Sequence, residues 1–483
     1  MKCFFLCLLT TITLLNAEQP PNIAVVLCDD LGYGDLGCYG HPVIKTPRID
    51  AFAAESLTFT QCYSAAPNCS PARTGLITGR TPWRVGIHNW IPFMSPMHVK
   101  AEEITIATLL QDAGYQTCHV GKWHLNGLFN LPGQPQPNDH GFDHWFATQN
   151  NALPNHRDPY NFVRNGIPVG PLKGYAAPLV IDEAIAWLKG KSRTEEKPFF
   201  QFICVHEPHE PIATDPKYEA LYAEYPDPAR RAHHGNITQM DDAFGRYLDA
   251  LDDLKLTENT LVFFTSDNGP AITGMHPYGS SGPLRDKKGA IYEGGIRVPG
   301  ILRWPGKTKA NSRSNTPVSG VDLLPTLCEL AGIEPPRDRK IDGSSFLPLL
   351  KGEPFQREVP LYWHFNRAKS PVKVAMRDGD WKITARLTGP QFNRGADLLE
   401  EEQNAQKSAE LTGFELYDLG SDPAETNDLA ATETGELNQI KSRLEAMYRE
   451  VRDESPTWPV WEWPKYEGQR IEWPEYWTNR KRK

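Results

Sequence analysis

The strongest candidate for a reactive side chain is Cys69, which begins the sequence CSPARTGLITG. Ser70 is a favourable N-cap, a proline follows it, and Gly79 suits the position beyond the end, so the stretch predicts a short helix over 71–78. Cys69 would then lie just outside the helix N-terminus, where unpaired N–H groups and the helix dipole favour an anion. Arg73 adds a fork of donors that fits a tetrahedral oxyanion. The pattern predicts a nucleophile beside an anion site, although a buried cysteine before an ordinary capped helix fits the same residues.

Oxygen-donor side chains follow two separate apolar runs of strand length. Asp29 and Asp30 come directly after IAVVLC. Asp267 and Asn268 come directly after TLVFFTS. Each run is apolar on both faces and predicts a central strand of a parallel sheet, and α/β folds bind ligands at the carboxyl ends of such strands. Four hard oxygen donors suit Ca²⁺ or Mg²⁺ and suit zinc poorly. One pair alone fits an ordinary turn with an N-capping aspartate, so the recurrence is what predicts a metal site.

Two further predicted strands lead into basic side chains. The strand YQTCHV is followed by Lys122 and His124, which alternate along the chain and can therefore face one ligand. A solvated lysine beside a histidine that caps a loop would fit equally well. The strand PFFQFICV is followed by His206 and His209, which could form a metal pair, although the four oxygen donors already account for a metal.

These segments resemble the sulfatase family, and they occur in that family's order. The oxygen donors match its metal site. The resemblance extends from Asn22 to about Leu429, and its remaining motifs are Thr-Pro-x-Ile-Asp-x-Phe-Ala from Thr46, Cys-x-Pro-x-Arg from Cys69 followed by Gly79-Arg80, Gly-Lys-Trp-His from Gly121, His-x-Pro from His209, and Lys-x-x-x-x-Glu-Gly-Gly-x-Arg-x-Pro from Lys288. On residue types alone, the glycine-rich stretch around Lys288 would be a solvent-facing loop.

The resemblance implies a modified nucleophile and a metal. Residue 69 would be oxidised from cysteine to formylglycine (3-oxoalanine) by a formylglycine-generating maturase. The metal, Ca²⁺ with Mg²⁺ as the alternative, would be held by residue 69 together with four oxygen donors, namely Asp29, Asp30, Asp267 and Asn268.

The resemblance also implies the roles of the basic residues. Lys122 and His124 would bind the sulfate, with His124 orienting or deprotonating the hydrated aldehyde. His209 would protonate the leaving alcohol or bind the ester oxygen, and His206 is the less certain neighbour. The catalytic lysine would be Lys288. The family's usual Gly before this lysine is replaced here by Lys287, which is therefore a rival candidate, and Glu293 and Arg297 are expected to hold the loop.

The expected reaction is hydrolysis of a sulfate ester to an alcohol and sulfate. The difficulty is charge, because a nucleophile must approach an anion while negative charge builds on the leaving oxygen. A divalent cation, the helix N-terminus and the side chains of Arg73, Lys122 and Lys288 would offset both. The alternatives are a phosphatase or phosphonate monoester hydrolase of the same superfamily, and a catalytically dead calcium-dependent glycan-binding protein.

A sulfated carbohydrate is the expected substrate, with a galactose or N-acetylgalactosamine sulfate favoured. Long polar loops at the mouth of an α/β fold commonly carry specificity. Simple loop packing would explain each loop residue equally well. The candidate sugar contacts are His88, Asn89, Trp90, Asn151, His156 and Arg157.

Composition limits the partners and the compartment. The 483 residues carry a formal net charge of −9, so neither nucleic acid nor an acidic membrane surface is an expected partner. A charged start, a short apolar run and Leu15-Asn16-Ala17 predict a signal peptide over 1–17, and no later stretch is apolar enough to span a membrane. The protein is therefore expected to be exported to the periplasm or the extracellular space. Seven of the nine cysteines would remain after cleavage, without a zinc or disulfide pattern.

The elements that must position these residues indicate an α/β fold with a large central, mostly parallel sheet flanked by helices, over 18–355. Beyond it, an Asp-Gly hairpin at 374–384, a strand at 414–419 and an amphipathic helix at 437–451 predict a smaller antiparallel sheet with a helix, over 356–455. Tryptophan and proline alternate in the arm at 456–483, which is expected to pack on the body, with a sugar-stacking lip as the alternative.

Overall fold

The computed structural model describes residues 20–190, 193–194, 196–392, 395–464 and 467–481. The predicted signal peptide lies outside these ranges. Within them, no helix combines the length and the apolar composition that a membrane crossing needs. The described chain forms a large mixed sheet and a small antiparallel sheet, both covered by helices, and this confirms the predicted fold class.

The larger sheet has eleven strands. They are β1 Asn22–Cys28, β2 Leu57–Tyr63, β3 Gln116–Lys122, β4 His144–Thr148, β5 Val163–Arg164, β6 Ile167–Pro168, β7 Phe199–Cys204, β8 Thr260–Ser266, β9 Arg297–Arg303, β10 Ser312–Ser314 and β11 Val318–Ser319.

Strand β1 lies in the middle of this sheet, between β7 and β8, and runs parallel to both. Its residue Val25 pairs with Phe202 of β7 and Phe263 of β8. The full order is β10, β2, β9, β8, β1, β7, β3, β4, β5, β6, with β11 also paired to β2. Strand β9 is antiparallel to both neighbours, and β4, β5 and β6 form an antiparallel edge. The carboxyl ends of β1, β3, β7 and β8 therefore open at one edge, where the site residues follow them.

Helices cover both faces of the large sheet and one face of the small one. They are α1 Pro47–Ala54, α2 Cys69–Thr78, α3 Pro82–Val85, α4 Ile106–Asp112, α5 Ala176–Lys189, α6 Pro216–Glu219, α7 Pro228–Asp253, α8 Glu293–Ile296, α9 Leu323–Ala331, α10 Leu347–Leu350, α11 Glu400–Ser408, α12 Thr434–Glu454 and α13 Glu475–Lys481.

The side chains of β1 alternate between two hydrophobic cores, as the strand geometry requires. Ile23, Val25 and Leu27 face the core that includes α4 and α9. Ala24 and Val26 face the core that includes α5 and α7. Both faces of the central strand are therefore dry, which is why its sequence is a continuous apolar run.

The smaller sheet consists of β12 Leu361–His364, β13 Val374–Asp378, β14 Trp381–Leu387 and β15 Leu411–Asp418, in that order and antiparallel throughout. The predicted Asp-Gly hairpin is the β13–β14 connection. Helix α12 packs on this sheet through Ile440, Leu444 and Tyr448, which contact a core that includes Met376 and Ile383. The predicted hairpin and helix are both confirmed.

The C-terminal arm packs on the body of the protein. The indole of Trp458 is buried and donates a hydrogen bond of 2.7 Å to the carbonyl of Gly86. Trp461 forms an antiparallel bridge with Leu398. The arm thereby crosses from the small sheet to the loops above the large one.

Candidate active site

Helix α2 holds Cys69 at its first turn, and its N-cap differs from the predicted one. Asn68, not Ser70, is the N-cap, and its side-chain oxygen accepts a hydrogen bond of 3.0 Å from the Cys69 amide. The Ser70 hydroxyl instead accepts a hydrogen bond from the amide of Ile91. Cys69 is thus the first helical residue rather than the residue outside the helix. Gly79, with φ +66°, ends the helix as predicted.

The Cys69 thiol is buried between a carboxylate and an ammonium group. Its Sγ lies 3.7 Å from Oδ1 of Asp29, and the Nζ of Lys288 donates to it at 3.4 Å. Burial raises the pKa of this thiol to about 12, although Lys122 and Lys288 act to lower it. An unmodified thiol here would remain protonated at neutral pH, so it would be a weak nucleophile.

Three aspartates converge below Cys69, each with a cationic or amide partner. Lys122 Nζ lies 2.6 Å from Asp29 Oδ2, and the Arg73 guanidinium donates two hydrogen bonds, of 3.0 and 2.8 Å, to Asp267 Oδ2. Lys288 Nζ lies 2.6 Å from Asp30 Oδ1. These ion pairs are almost wholly buried, so their geometry is fixed by packing.

The two central carboxyls titrate in opposite directions. Burial alone would raise the pKa of Asp29, but Lys122, His209 and Arg73 hold it well below its usual value. Burial and the neighbouring Asp29 charge raise the pKa of Asp267 to about 7. For Asp267, burial and the Asp29 charge outweigh the stabilisation that Arg73 and Lys122 give its carboxylate, so a cation bound beside it would favour the charged form.

The chemistry of this donor set fits a hard divalent cation. Single ligand atoms of Asp29, Asp30, Cys69 and His209 lie within 4.8 Å of one another. The Asn268 amide donates a 2.8 Å hydrogen bond to Asp30 Oδ1, while its own Oδ1 is buried and has no hydrogen-bond partner among the described residues. Carboxylate and amide oxygens of this kind are the ligands that Ca²⁺ and Mg²⁺ prefer.

Lys122 reaches the site because a glycine precedes it at the end of β3. Gly121 has φ +102°, and an added Cβ would come within 1.8 Å of the Cys204 carbonyl oxygen of β7. Only glycine allows this approach. The Lys122 carbonyl accepts a hydrogen bond of 2.9 Å from Arg73, which ties β3 to α2.

The two adjacent lysines of the glycine-rich stretch point in different directions. Lys288 contacts Cys69 and Asp30, whereas Lys287 Nζ donates to the carbonyl of Ile272 at 2.7 Å. Glu293 is buried and forms an ion pair with Lys382 at 2.9 Å, so it holds the loop against the small sheet.

The three histidines have unequal access to the site. His124 and His209 line the cavity above Cys69, whereas His206 is fully buried and bonded to Thr148 Oγ1 at 2.8 Å. The His124 Nε2 lies 3.1 Å from the Ile91 carbonyl oxygen. His209 Nε2 lies 3.7 Å from Asp30 Oδ2. Burial lowers the pKa of His209 to about 4, against the raising effect of Asp29 and Asp30.

A cavity of about 380 Å³ opens above Cys69. Three of the six predicted sugar contacts line it, namely Asn89, Trp90 and Asn151.

The other three predicted sugar contacts are absent from the described cavity lining. His88 is bonded to Ser455 at 2.7 Å and stacked on Trp83, so its ring lies away from the described lining of the cavity. His156 is fully buried with its ring 5.3 Å from that of His206, and Arg157 is an exposed side chain. Loop sequence alone does not tell which side of a loop faces a cavity.

Several lining residues come from parts of the chain that carry no sulfatase motif. Trp463 of the C-terminal arm lines the cavity and packs edge-on against Trp90, with ring centroids 5.1 Å apart. Phe365, Arg367 and Lys369 approach from the loop after β12. The high density of tryptophan in the arm was the sequence feature that could have indicated this contribution to the cavity. The arm both packs on the body and forms a lip of the cavity.

Buried carboxylates and cations at the carboxyl ends of a parallel sheet, with a helix N-terminus above them, form an arrangement typical of α/β enzymes that bind a charged ligand at that edge. Known proteins agree with this class. The family model described as Sulfatase matches residues 21–333, and the one described as N-sulphoglucosamine sulphohydrolase, C-terminal, matches 284–388.

Individual relatives extend the match to most of the chain. N-acetylgalactosamine-6-sulfatase of Homo sapiens is 38% identical over 479 residues, covering 91% of this chain and 87% of that protein. Arylsulfatase A of Homo sapiens is 32% identical over 471 residues, covering 90% and 88%. The crystal structure of Ps i-CgsB superposes with a TM-score of 0.78 at 27% identity and covers 94% of this chain and 97% of that one. The chain therefore belongs to the sulfatase family. It is an enzyme that hydrolyses sulfate esters.

Proposed function

We propose that this sulfatase removes sulfate from a sulfated carbohydrate, with galactose or N-acetylgalactosamine sulfate favoured. The residues that line the two ends of the cavity support this proposal. Cys69, His124, His209 and Lys288 line the end that would hold the sulfate, and indole and amide groups line the mouth. The relatives named N-acetylgalactosamine-6-sulfatase support the choice of sugar.

The nucleophile of the proposal is formylglycine at position 69, made from Cys69 by a maturase. Its hydrated form would supply the attacking hydroxyl, which the buried, protonated thiol does not. The contact that carries the proposal is that of Cys69 with both Asp29 and Lys288, because it brings the modified residue, a metal ligand and a cation to one point.

Asp29, Asp30, Asp267 and Asn268 would hold Ca²⁺, with Mg²⁺ as the alternative, together with residue 69. A divalent cation there would offset the negative charge of the sulfate and polarise its S–O bonds.

The chain's own side chains would do the rest of the work. Lys122 and Lys288 would bind the sulfate oxygens, and Arg73 would fix the carboxylates beneath them through its bonds to Asp267. His124 would orient or deprotonate the attacking hydroxyl, and His209 would bind or protonate the ester oxygen of the leaving alcohol. The ion pairs beneath the cavity are buried, and burial strengthens each of these interactions.

Three finer assignments belong to the same proposal. The apolar run before residue 18 supports export to the periplasm or the extracellular space after cleavage at 17. The catalytic part would be 18–355 and the small-sheet part 356–455, with 456–483 as the arm. The proposed partners are the sulfated sugar and the maturase, without nucleic acid.

The test is sulfate release by the desalted enzyme, matured in a host that makes the maturase, from a panel of defined galactose and N-acetylgalactosamine sulfates. Matched 4-nitrophenyl sulfate and 4-nitrophenyl phosphate control for the ester type. We expect sulfate release from at least one sugar, a preference for the sulfate ester, and loss of turnover after treatment with EDTA, restored by Ca²⁺. Release of phosphate alone, or full activity after chelation, would refute the proposal.

A further inference from the structure

A second cavity of about 320 Å³ lies beside the active-site cavity. The two share Asn150, Asn151 and Ile471 as lining residues, so they meet at a common partition. Neither the predicted sugar contacts nor the sulfatase motifs explain the rest of its lining, which is mainly apolar.

The partition carries hydrogen-bonding groups that the protein leaves unused. The side-chain Oδ1 atoms of Asn150 and Asn151 are both buried, and neither accepts a hydrogen bond from any residue in the described ranges. A buried amide oxygen without a partner carries an energetic cost that a ligand bearing hydroxyl groups would remove. A hydrocarbon ligand would leave both oxygens unpaired.

The rim of the second cavity exposes large side chains to solvent. Tyr160 is 43% exposed and Leu131 is 39% exposed, and both line this cavity. The guanidinium of Arg470, from the C-terminal arm, lies 5.6 Å from the centre of the Phe93 ring on the same rim. Apolar and aromatic groups exposed together around a concave site are typical of ligand binding.

We propose that the second cavity binds the sugar residue next to the sulfated one, so that the enzyme acts on oligosaccharides in preference to monosaccharides. The inference rests on the proposed function, because the sulfated residue must occupy the first cavity. The shared partition gives the continuity that a glycosidic linkage needs, the amide groups of Asn150 and Asn151 at that partition can hydrogen-bond to sugar hydroxyls, and the exposed ring of Tyr160 offers apolar surface to the second sugar.

The experiment compares kcat/KM for the sugar sulfate that the panel shows to be the best substrate with kcat/KM for the better of two trisaccharides, which carry the same sulfated residue at the non-reducing or at the reducing end. We expect the wild-type enzyme to favour the trisaccharide by about tenfold or more, mainly through KM. Tyr160→Ala is expected to reduce this ratio about fivefold, the size of one aromatic contact.

Leu221→Ala is the matched control, because Leu221 is 41% exposed and lines neither cavity as described. It should leave the trisaccharide preference as it is in the wild type. Equal kcat/KM for the two substrates, or an unchanged ratio in Tyr160→Ala, would overturn this inference alone. Failure to release sulfate from any sugar would overturn the proposed function and this inference with it.

Discussion

The floor and the mouth of the active-site cavity are built in different ways. The floor consists of side chains that follow β1, β3 and β8 or open α2, and its ion pairs are almost fully buried. The mouth consists of loops and the C-terminal arm, with Trp90 and Trp463 only half-buried. The floor brings together the residues to which the proposal assigns the metal and the sulfate. The mouth can change residue by residue without disturbing it, which is how one fold serves many substrates.

The largest expected effect is at the floor. Cys69→Ala removes the residue that the proposal converts into the nucleophile, so kcat should fall by about 10⁴-fold or more on both an aryl sulfate and a sugar sulfate. The same loss is expected for enzyme produced without the maturase. Steady-state kinetics with both substrates, alongside mass spectrometry of the peptide that contains residue 69, check this. Full activity of either preparation would contradict the scheme.

Two adjacent lysines allow the effect of a positive charge inside the site to be compared with the effect of a positive charge just outside it. Lys288→Ala removes the cation that contacts Cys69 and Asp30, and should lower kcat by about 10²- to 10³-fold. Lys287→Ala removes a hydrogen bond to the Ile272 carbonyl and is the matched control, expected to change kcat by less than about threefold. If the two variants lost activity equally, the distinction between the lysines would be wrong.

Substitutions at the mouth should affect the sugar more than the reaction. Trp463→Ala removes an indole that lines the cavity and packs on Trp90, so KM for the sugar sulfate should rise about five- to tenfold. Turnover of a small aryl sulfate should change much less, because that substrate reaches only the floor. Parallel kcat and KM measurements on the two substrates decide the point. A loss of kcat equal on both would place Trp463 among the floor residues.

The smallest effect is expected at a loop residue that faces away. Arg157→Ala should leave kcat/KM for every accepted sugar within about twofold, because its side chain is 62% exposed and lines neither cavity as described. A larger loss of kcat/KM that is confined to sugar substrates would show that Arg157 contributes to sugar binding at the mouth of the cavity.

The carboxylates of the floor were predictable because short-range sequence patterns determine them, whereas Lys288 was predicted only by the resemblance to the sulfatase family. Asp29 and Asp267 each follow a buried strand, and adjacent parallel strands end at one edge whatever the loops do. The N-cap of α2 was misplaced by two residues, since Asn68 and Ser70 are both good caps and only the amide of Ile91, which is bonded to Ser70, decides between them.

The mouth was only partly predictable because its contacts are between residues far apart in sequence. Nothing near Trp90 in sequence indicates that Trp463 will pack against it. His88 also shows the difficulty, because it is a predicted sugar contact whose ring is instead bonded to Ser455, 367 residues away in sequence. Helix α7 was not predicted either, since it buries polar residues such as His233 and Asn236 and so lacks a clean apolar stripe.

The position of Trp463 and Ile471 in the wall of the cavity has a consequence for biosynthesis. A ribosome makes these residues after every other part of the wall, so the catalytic floor can fold while the substrate opening still lacks one side. A stop codon just before residue 463, or proteolytic trimming of the arm, would remove Trp463 and Ile471 from the wall, and the shortened enzyme should still cleave small aryl sulfate esters while discriminating poorly among glycans.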